Sequence, residues 1–281
     1  MVMDVNLKVL GSGQDGGVPH PGCACRNCER ARANGAYRRL APSTAVYSKR
    51  AGFCYLIDAS PDLGSQIEAV RRAVPRVSRA GRVPVSGILL THAHIGHYTG
   101  LLLMGTEVLG ETGMPVYCTA AMMEFLSTAP PFSLLVEGGN IVLHEVRPNE
   151  DLALDGVRFT PIAVPHRGRI ADTVGYVVRA RRRATYIPDT DRWTRSLIET
   201  VSRSDVALVD GTFYSKDELQ RFCEVPHPPI GESIRDLADL GTEILFTHIN
   251  HTNPVNAEGP EREDLEGKGF KLAYDGLTLR I

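Results

Sequence analysis

The stretch Thr91-His92-Ala-His94-Ile-Gly96-His97 follows directly on the apolar run 85–90, and it restricts the fold more than any other part of the chain. Three imidazoles within six residues stand where a buried strand leaves its sheet. Neutral imidazole is the commonest transition-metal ligand, and alternating residues of an extended backbone put two rings on one side. The competing reading is a solvated histidine-rich loop. Sites in open α/β sheets gather at such strand ends, and the placement recurs: His166 follows a strand predicted over 157–163, Asp189 follows 185–187, and His248 follows 244–247. Each alone reads as a surface or hydrogen-bonded residue, whereas their repetition argues for a common metal site. Asp58 ends the strand predicted over 53–57 and could orient a metal-bound imidazole through its far nitrogen, or cap a turn before Pro61.

The apolar periodicity and the turn residues predict further strands over 7–10, 43–47, 116–117, 141–146, 174–178, 206–209 and 270–274, with helices over 65–74, 99–109, 193–201 and 231–240. Early strands pair as hairpins and later ones alternate with helices. No Gly/Ser linker, composition break or internal repeat divides the chain, so the expectation is one domain over residues 1–281, of α/β (α+β) class, with helices covering packed sheets. At 281 residues it is near the upper limit for one core. With 43% hydrophobic and 23% charged residues it is neither disordered nor fibrous. A net charge of −2 supplies no field for nucleic acid or an anionic membrane, and Arg179-Ala-Arg181-Arg182-Arg183 reads as a solvated hairpin turn. No apolar run is long enough to span a bilayer, and Met1-Val-Met-Asp-Val lacks a basic stretch before an apolar one, so a cytoplasmic protein is expected. Residues 11–17 are glycine-rich but have neither the GxxxxGK[ST] nor the GxGxxG spacing, and they read as tight turns near the mouth of a site rather than a nucleotide loop.

Cys23, Cys25 and Cys28 crowd into six positions, while Cys54, Cys118 and Cys223 stand apart. Without a secretion signal, scattered cysteines read as small apolar packing groups and clustered ones as metal ligands. Three thiolates occupy three corners of a tetrahedral Zn²⁺ and need a fourth ligand; His251, three residues beyond His248, is the candidate. A cluster of reduced thiols is the alternative.

HxHxxH after a strand, followed by well-separated His, Asp and His, resembles the metallo-β-lactamase superfamily, whose fold is an αββα sandwich with metals at one edge. Within it the chain is similar to two groups. Val9-Leu-Gly-Ser12, the cysteine cluster 23–28, Asp58-Ala-Ser-Pro-Asp62, Gly100-Leu-Leu102, Val209-Asp-Gly-Thr212, His248-Ile-Asn-His-Thr-Asn-Pro254 and Tyr274-Asp-Gly276 resemble the pyrroloquinoline quinone (PQQ) biosynthesis protein B family. The cysteine cluster, HxHxxH and a His-Ile-x-His ending also resemble the cyclic-phosphate phosphodiesterases of phosphonate breakdown. The resemblance implies one metal site at His92, His94 and His166 and a second at His97 and His248, with Asp189 bridging and acting in catalysis. It also implies a structural zinc at Cys23, Cys25, Cys28 and His251, and a catalytic His227 near the substrate phosphate. Position 96 is Gly where the superfamily pattern HxHxDH has Asp, which implies either a weaker second site or a substitute ligand from Asp191 or Asp62. The quinone-biosynthesis family typically lacks the two leading histidines kept here as His92 and His94, and it usually has Asn where this chain has His251.

These readings imply a metal-dependent hydrolase that cleaves a phosphodiester or other ester with a metal-bound hydroxide. The implied cofactor is Zn²⁺, one ion structural and one or two catalytic, with Mn²⁺ or Fe²⁺ as alternatives at the catalytic site. The alternatives in function are an Fe(II)/O₂-dependent oxidative step in quinone cofactor biosynthesis and a non-catalytic small-molecule carrier. The expected partner is a small-molecule substrate, with a homodimer left open.

Overall fold

The computed structural model describes residues 4–168, 170–218 and 225–281, and Cys223 lies outside them. The first part of the chain supplies β1 (Asn6–Gly11), β2 (Ser43–Ser48), β3 (Phe53–Ile57), β4 (Gly87–Leu89), β5 (Met114–Cys118) and β6 (Ile141–Glu145). The second supplies β7 (Leu152–Leu154), β8 (Val157–Ala163), β9 (Val174–Arg179), β10 (Arg183–Ile187), β11 (Val206–Asp210), β12 (Glu243–Thr247) and β13 (Lys271–Leu272). β14 (Thr278–Arg280) then returns to pair antiparallel with β1. Among the described residues this makes two seven-stranded sheets, ordered β14-β1-β2-β3-β4-β5-β6 and β13-β12-β11-β10-β9-β8-β7. The α-helices are α1 (Arg26–Ala33), α2 (Leu63–Ala73), α3 (Ile95–Tyr98), α4 (Ala120–Thr128), α5 (Phe132–Glu137), α6 (Arg195–Ser202), α7 (Ile230–Leu237) and α8 (Pro260–Gly267).

Strand alternation sorts the side chains into three cores. In β3, Cys54 and Leu56 face Ile67 and Val70 of α2 and Met122 and Leu126 of α4. Phe53, Tyr55 and Ile57 from the same strand face Phe159, Tyr176, Val178 and Tyr186 of the other sheet. On the far side, Val177, Ala207, Val209 and Phe246 are covered by Leu197 and Val201 of α6, Ile230 and Ile234 of α7, and Leu265 of α8. Helix, sheet, sheet and helix are therefore the layers, the αββα sandwich expected from the sequence. Inner strands buried on both faces, such as β3 and β11, read as continuous apolar runs for that reason.

Some predicted elements change. The helix expected over 99–109 is the short α3 followed by a 3₁₀ turn over Thr99–Met104. The N–H of Gly100 donates to Ala59 O (2.9 Å) instead of to a helical carbonyl, which draws the segment against the end of β3. The strand expected over 270–274 is reduced to β13. The apolar pattern does not predict α1, α4, α5 or α8: α1 buries only Cys28 and Ala31, too little for a helical stripe. Arg179 and Arg183 bracket the expected hairpin turn between β9 and β10, and Cys54 and Cys118 are buried in the first core.

The parallel strands β3 and β4 of one sheet and β10, β11 and β12 of the other end at a common edge. The sheets are tied there by Val174 N–H donating to Thr91 O and Tyr176 O–H donating to Leu90 O, both 2.9 Å. The segment carrying three histidines therefore leaves its strand at the seam between the sheets. No helix among the described residues is long and apolar enough to cross a membrane.

Candidate metal centre

Each strand end at this edge delivers a polar residue. His92, His94 and His97 follow β4, His166 follows β8, Asp189 follows β10, Asp210 ends β11, and His248 follows β12. His248 and Asp58 both have left-handed backbone, at φ 59° and 70°. Such a conformation is uncommon outside glycine and clusters at functional sites; here it turns both side chains back toward the seam.

The outer nitrogen of nearly every imidazole is fixed by an acceptor. His97 Nδ1–H donates to Asp58 Oδ2 at 2.7 Å. His92 Nδ1–H donates to Thr91 Oγ1 (2.9 Å), whose hydroxyl donates in turn to Asp58 Oδ1 (2.9 Å). His248 Nδ1–H reaches Thr212 Oγ1 (2.9 Å), and that hydroxyl donates to Asp210 Oδ1 (2.8 Å). His166 Nδ1–H donates to Asp191 Oδ1 (2.9 Å), and His227 Nδ1–H to Asp210 Oδ2 (2.7 Å). A ring that donates from Nδ1 and is neutral keeps its lone pair on Nε2, so these partners set both tautomer and aim.

The freed nitrogens converge. Donors of His92, His94 and His166 lie within 4.8 Å of one another, with His166 Nε2 and His94 Nδ1 3.1 Å apart. Next to them, His97 Nε2 and His248 Nε2 are 3.4 Å apart. Asp189 Oδ2 is 3.3 Å from His97 Nε2, while its Oδ1 is 3.3 Å from His248 Nε2 and 3.8 Å from His166 Nε2. Ligands bound about 2 Å from one ion stand about 3 to 4 Å apart, so these spacings fit a pair of cations sharing Asp189. Asp15 Oδ1, from the glycine-rich loop, is 3.3 Å from His97 Nε2 and 3.7 Å from His248 Nε2. The buried atoms His92 Nε2, Asp15 Oδ1 and Asp189 Oδ2 have no hydrogen-bond partner. Orphaned acceptors in a buried site are costly unless a cation satisfies them.

The electrostatics agree. Burial pushes His92 well below the ordinary imidazole range, with the neighbouring imidazoles adding to it, and burial lowers His94 to about 4. Both rings are therefore neutral donors near pH 7. Burial works against a charge on His97 as well, but the carboxylates of Asp58 and Asp189 overcome it and raise its pKa well above the usual value. Burial also opposes charge on Asp210 and on His227, yet their contact holds Asp210 down to about 2 and raises His227. A cavity of about 310 Å³ opens on this array, lined by Gln14, Asp15, His94, Arg167, Asp189 and His227 among others.

Asp191 and Asp62, the expected substitutes for the carboxylate missing at Gly96, do not reach the second set. Asp191 backs His166 from outside, and Asp62 Oδ2 accepts from Ala41 N–H (2.8 Å). Asp15 stands there instead. Asp15 lies five residues beyond the strand predicted over 7–10, in a glycine-rich loop whose course local spacing does not fix; Asp210 ends a strand and carries the same signal as Asp58.

The cysteine cluster forms a second, separate set. His251 Nδ1 is 3.4 Å from Cys23 Sγ and 3.6 Å from Cys25 Sγ, and with Cys28 Sγ all four donors lie within 4.8 Å. Burial pushes the Cys28 thiol up to about 12, so a cation is what would hold it as thiolate near neutral pH. Asn27 of α1 donates to the carbonyls of His251 (2.9 Å) and Asn253 (3.0 Å), fastening the cysteine segment to the loop after His248.

Residues 54–249 match the Beta-lactamase superfamily domain. The chain belongs to that superfamily. It is 31% identical to coenzyme PQQ synthesis protein B of Stutzerimonas stutzeri, over 99% of this chain and 100% of that protein. Against the same protein of Cupriavidus taiwanensis the identity is 32%, over 98% and 99%. Within the superfamily the chain is therefore a member of the coenzyme PQQ synthesis protein B family. The zinc-bound PqqB of Methylobacterium extorquens superposes with a TM-score of 0.86 at 30% identity, covering 98% of this chain and 100% of that one. A diphosphatase of the PhnP family superposes at 0.74 with 27% identity, covering 100% and 98%. Metal binding and the sandwich fold follow from this membership together with the donor geometry.

Proposed function

We propose that this member of the superfamily is a metal-dependent hydrolase that cleaves a phosphodiester or another ester of a small molecule. The observation that carries the reading is Asp189, whose Oδ1 faces His166 of one imidazole set and His248 of the other while Oδ2 faces His97, at the wall of a cavity that His227 also lines. When bound there, divalent ions lower the pKa of water from 15.7 to about 7 and polarise a phosphoryl or carbonyl oxygen. His92, His94 and His166 would hold one ion, His97 and His248 the other, with Asp189 between them. The chain's own contribution to chemistry is the His227–Asp210 pair. Asp210 keeps a proton on Nδ1 and favours the imidazolium, so Nε2–H faces the cavity as a donor to a leaving oxygen. Arg167 lines the same wall and supports an anionic substrate. Likeness to the PhnP-family diphosphatase supports phosphoester chemistry, and likeness to coenzyme PQQ synthesis protein B supports a place in the synthesis of that cofactor.

A second reading is favoured by one feature. His97, His248 and Asp189 by themselves make a two-histidine, one-carboxylate set of the kind that suits Fe(II) and O₂. The test is a screen of cyclic and linear phosphodiesters, esters and lactones with Zn²⁺, Mn²⁺ or Fe²⁺ added, with O₂ uptake followed in parallel on iron-loaded protein. Hydrolysis that disappears together with bound metal in His94→Ala is expected. Turnover by metal-free protein, or O₂ consumption without hydrolysis of any class, overturns the hydrolase reading.

A further inference from the structure

We infer that Asp15 is a metal ligand of the His97–His248 set, and that Gly96 keeps open the space its loop enters. The inference rests on the metal-site reading above and adds a ligand that HxHxxH spacing does not contain.

Two observations meet at the same point. The first is the position of Asp15. Its Oδ1 is buried without a hydrogen-bond partner, yet stands 3.3 Å from His97 Nε2 and 3.7 Å from His248 Nε2. Both nitrogens also face Asp189 at 3.3 Å. Two imidazoles and two carboxylates that approach without hydrogen-bond geometry between Asp15 and either ring are arranged about a common centre, not about one another.

The second is Gly96. It lies in α3, where helical backbone makes no demand for glycine and alanine would be favoured by about 1 kcal/mol. The demand is for space: a Cβ at 96 would lie 2.6 Å from both Cα and Cγ of Asp15 and nearer still to Oδ1. A side chain at 96 collides with the backbone of Asp15 as well as with its carboxylate, so glycine is what lets this loop approach. Gly96 also stands where the superfamily pattern places Asp, so the loop fills the volume that a residue-96 carboxylate would take.

The loop is built to hold Asp15 there. Gln14 N–H donates to Ile249 O (3.0 Å) and Ile249 N–H to Ser12 O (2.9 Å), so the backbone carrying Asp15 is stitched to the residue after His248. Behind it, Asp275 accepts from Ser12 N–H (2.9 Å), Ser12 O–H (2.7 Å) and Leu40 N–H (2.7 Å). The half-buried Arg39 donates to Ser12 Oγ (2.8 Å) and Asn256 Oδ1 (2.8 Å). A residue anchored this way arrives with little entropy left to lose.

The experiment is metal content and zinc affinity of the full chain, measured by elemental analysis and chelator competition, with melting temperature recorded for each variant. Asp15→Asn is close to isosteric and should lose one equivalent of zinc. Outer partners of metal ligands are worth about 10- to 100-fold in affinity, so loss of a ligand should weaken that ion by about 100-fold or more. Gly96→Asp alone should also lose the ion, because the new side chain and Asp15 collide. Gly96→Ala carries the Cβ without a carboxylate; it meets the Cα and Cγ of Asp15 in the same way and should lose the same equivalent while the cysteine set keeps its zinc. Wild-type metal content and affinity in Asp15→Asn, or in Gly96→Ala, overturns the inference while leaving the hydrolase reading standing. If the wild-type chain holds no zinc that His94→Ala or Asp15→Asn removes, both readings fail together.

Discussion

Asp58→Asn isolates the part played by the residues behind the metal ligands. Asp58 is fully buried, and its carboxylate only accepts: from His97 Nδ1 (2.7 Å), Thr91 N (2.8 Å) and Thr91 Oγ1 (2.9 and 3.0 Å). The asparagine fills the same volume but turns one acceptor into a donor. If its NH₂ faces His97, the ring must present its Nδ1 lone pair, which moves the proton to Nε2, the atom that faces Asp15, Asp189 and His248. If the NH₂ faces Thr91, two donors oppose each other, and the buried Thr91 N–H is left unsatisfied at about 1 to 3 kcal/mol. The first arrangement sets proton against cation at one lone pair. Changes of this kind weaken metal affinity about 10- to 100-fold, or about 1.4 to 2.7 kcal/mol. Chelator competition on wild type and variant reads that number directly, and thermal melting with and without zinc tells a weakened site from a damaged fold. The His97 side should weaken while the cysteine set keeps its zinc. Equal zinc affinity in the two proteins would show that the tautomer of His97 is not set by Asp58, and the reasoning would be refuted.

The other expectations concern the second metal set and the protonation of the site. Cys25→Ser should release one zinc per chain and lower the melting temperature, and it should also reduce turnover, because Asn27 and His251 link the cysteine segment to the loop of His248; unchanged zinc content and melting temperature would exclude a structural site. For Asp210, a folded pKa of about 2 lies below the ordinary carboxylate value, so its contribution to stability is complete above about pH 4 and is lost as the pH falls toward 2. His227 is shifted the other way, so its contribution is complete below about pH 6.5 and is lost as the pH rises through its raised pKa. Urea unfolding followed from acid to mildly basic pH should therefore show a shallower profile in Asp210→Asn than in wild type, and parallel profiles would contradict the pairing.

What the sequence determined by itself is the set of strand ends. Short apolar runs, each followed closely by His or Asp, fix where polar groups emerge, because a residue that leaves a buried strand must point either into a site or into solvent. Residue order alone is therefore enough to name His92, His94, His97, His166, Asp189 and His248 as candidate donors, Asp58 as a candidate orienting group, and the cysteine set with His251 as a second candidate set. Helices without an apolar stripe cannot be read this way: α1 is polar on most of its surface and is held by the contacts of Cys28, Ala31 and Asn27. The helix predicted over 99–109 fails because two backbone bonds, Gly100 N–H to Ala59 O and Ala59 N–H to His97 O, tie the segment to the chain just beyond β3 and outweigh local propensity. Only the tertiary structure decided which carboxylate stands beside His97 and His248. Asp191 is near in sequence to Asp189 and Asp62 lies near Asp58, so spacing favours them. Asp15 reaches the centre through a loop whose position depends on backbone bonds to residue 249 and a partly buried network to residue 275. Contacts between such distant parts of the chain leave no periodic trace in it, since they depend on the closing of the two sheets against each other and not on any local preference.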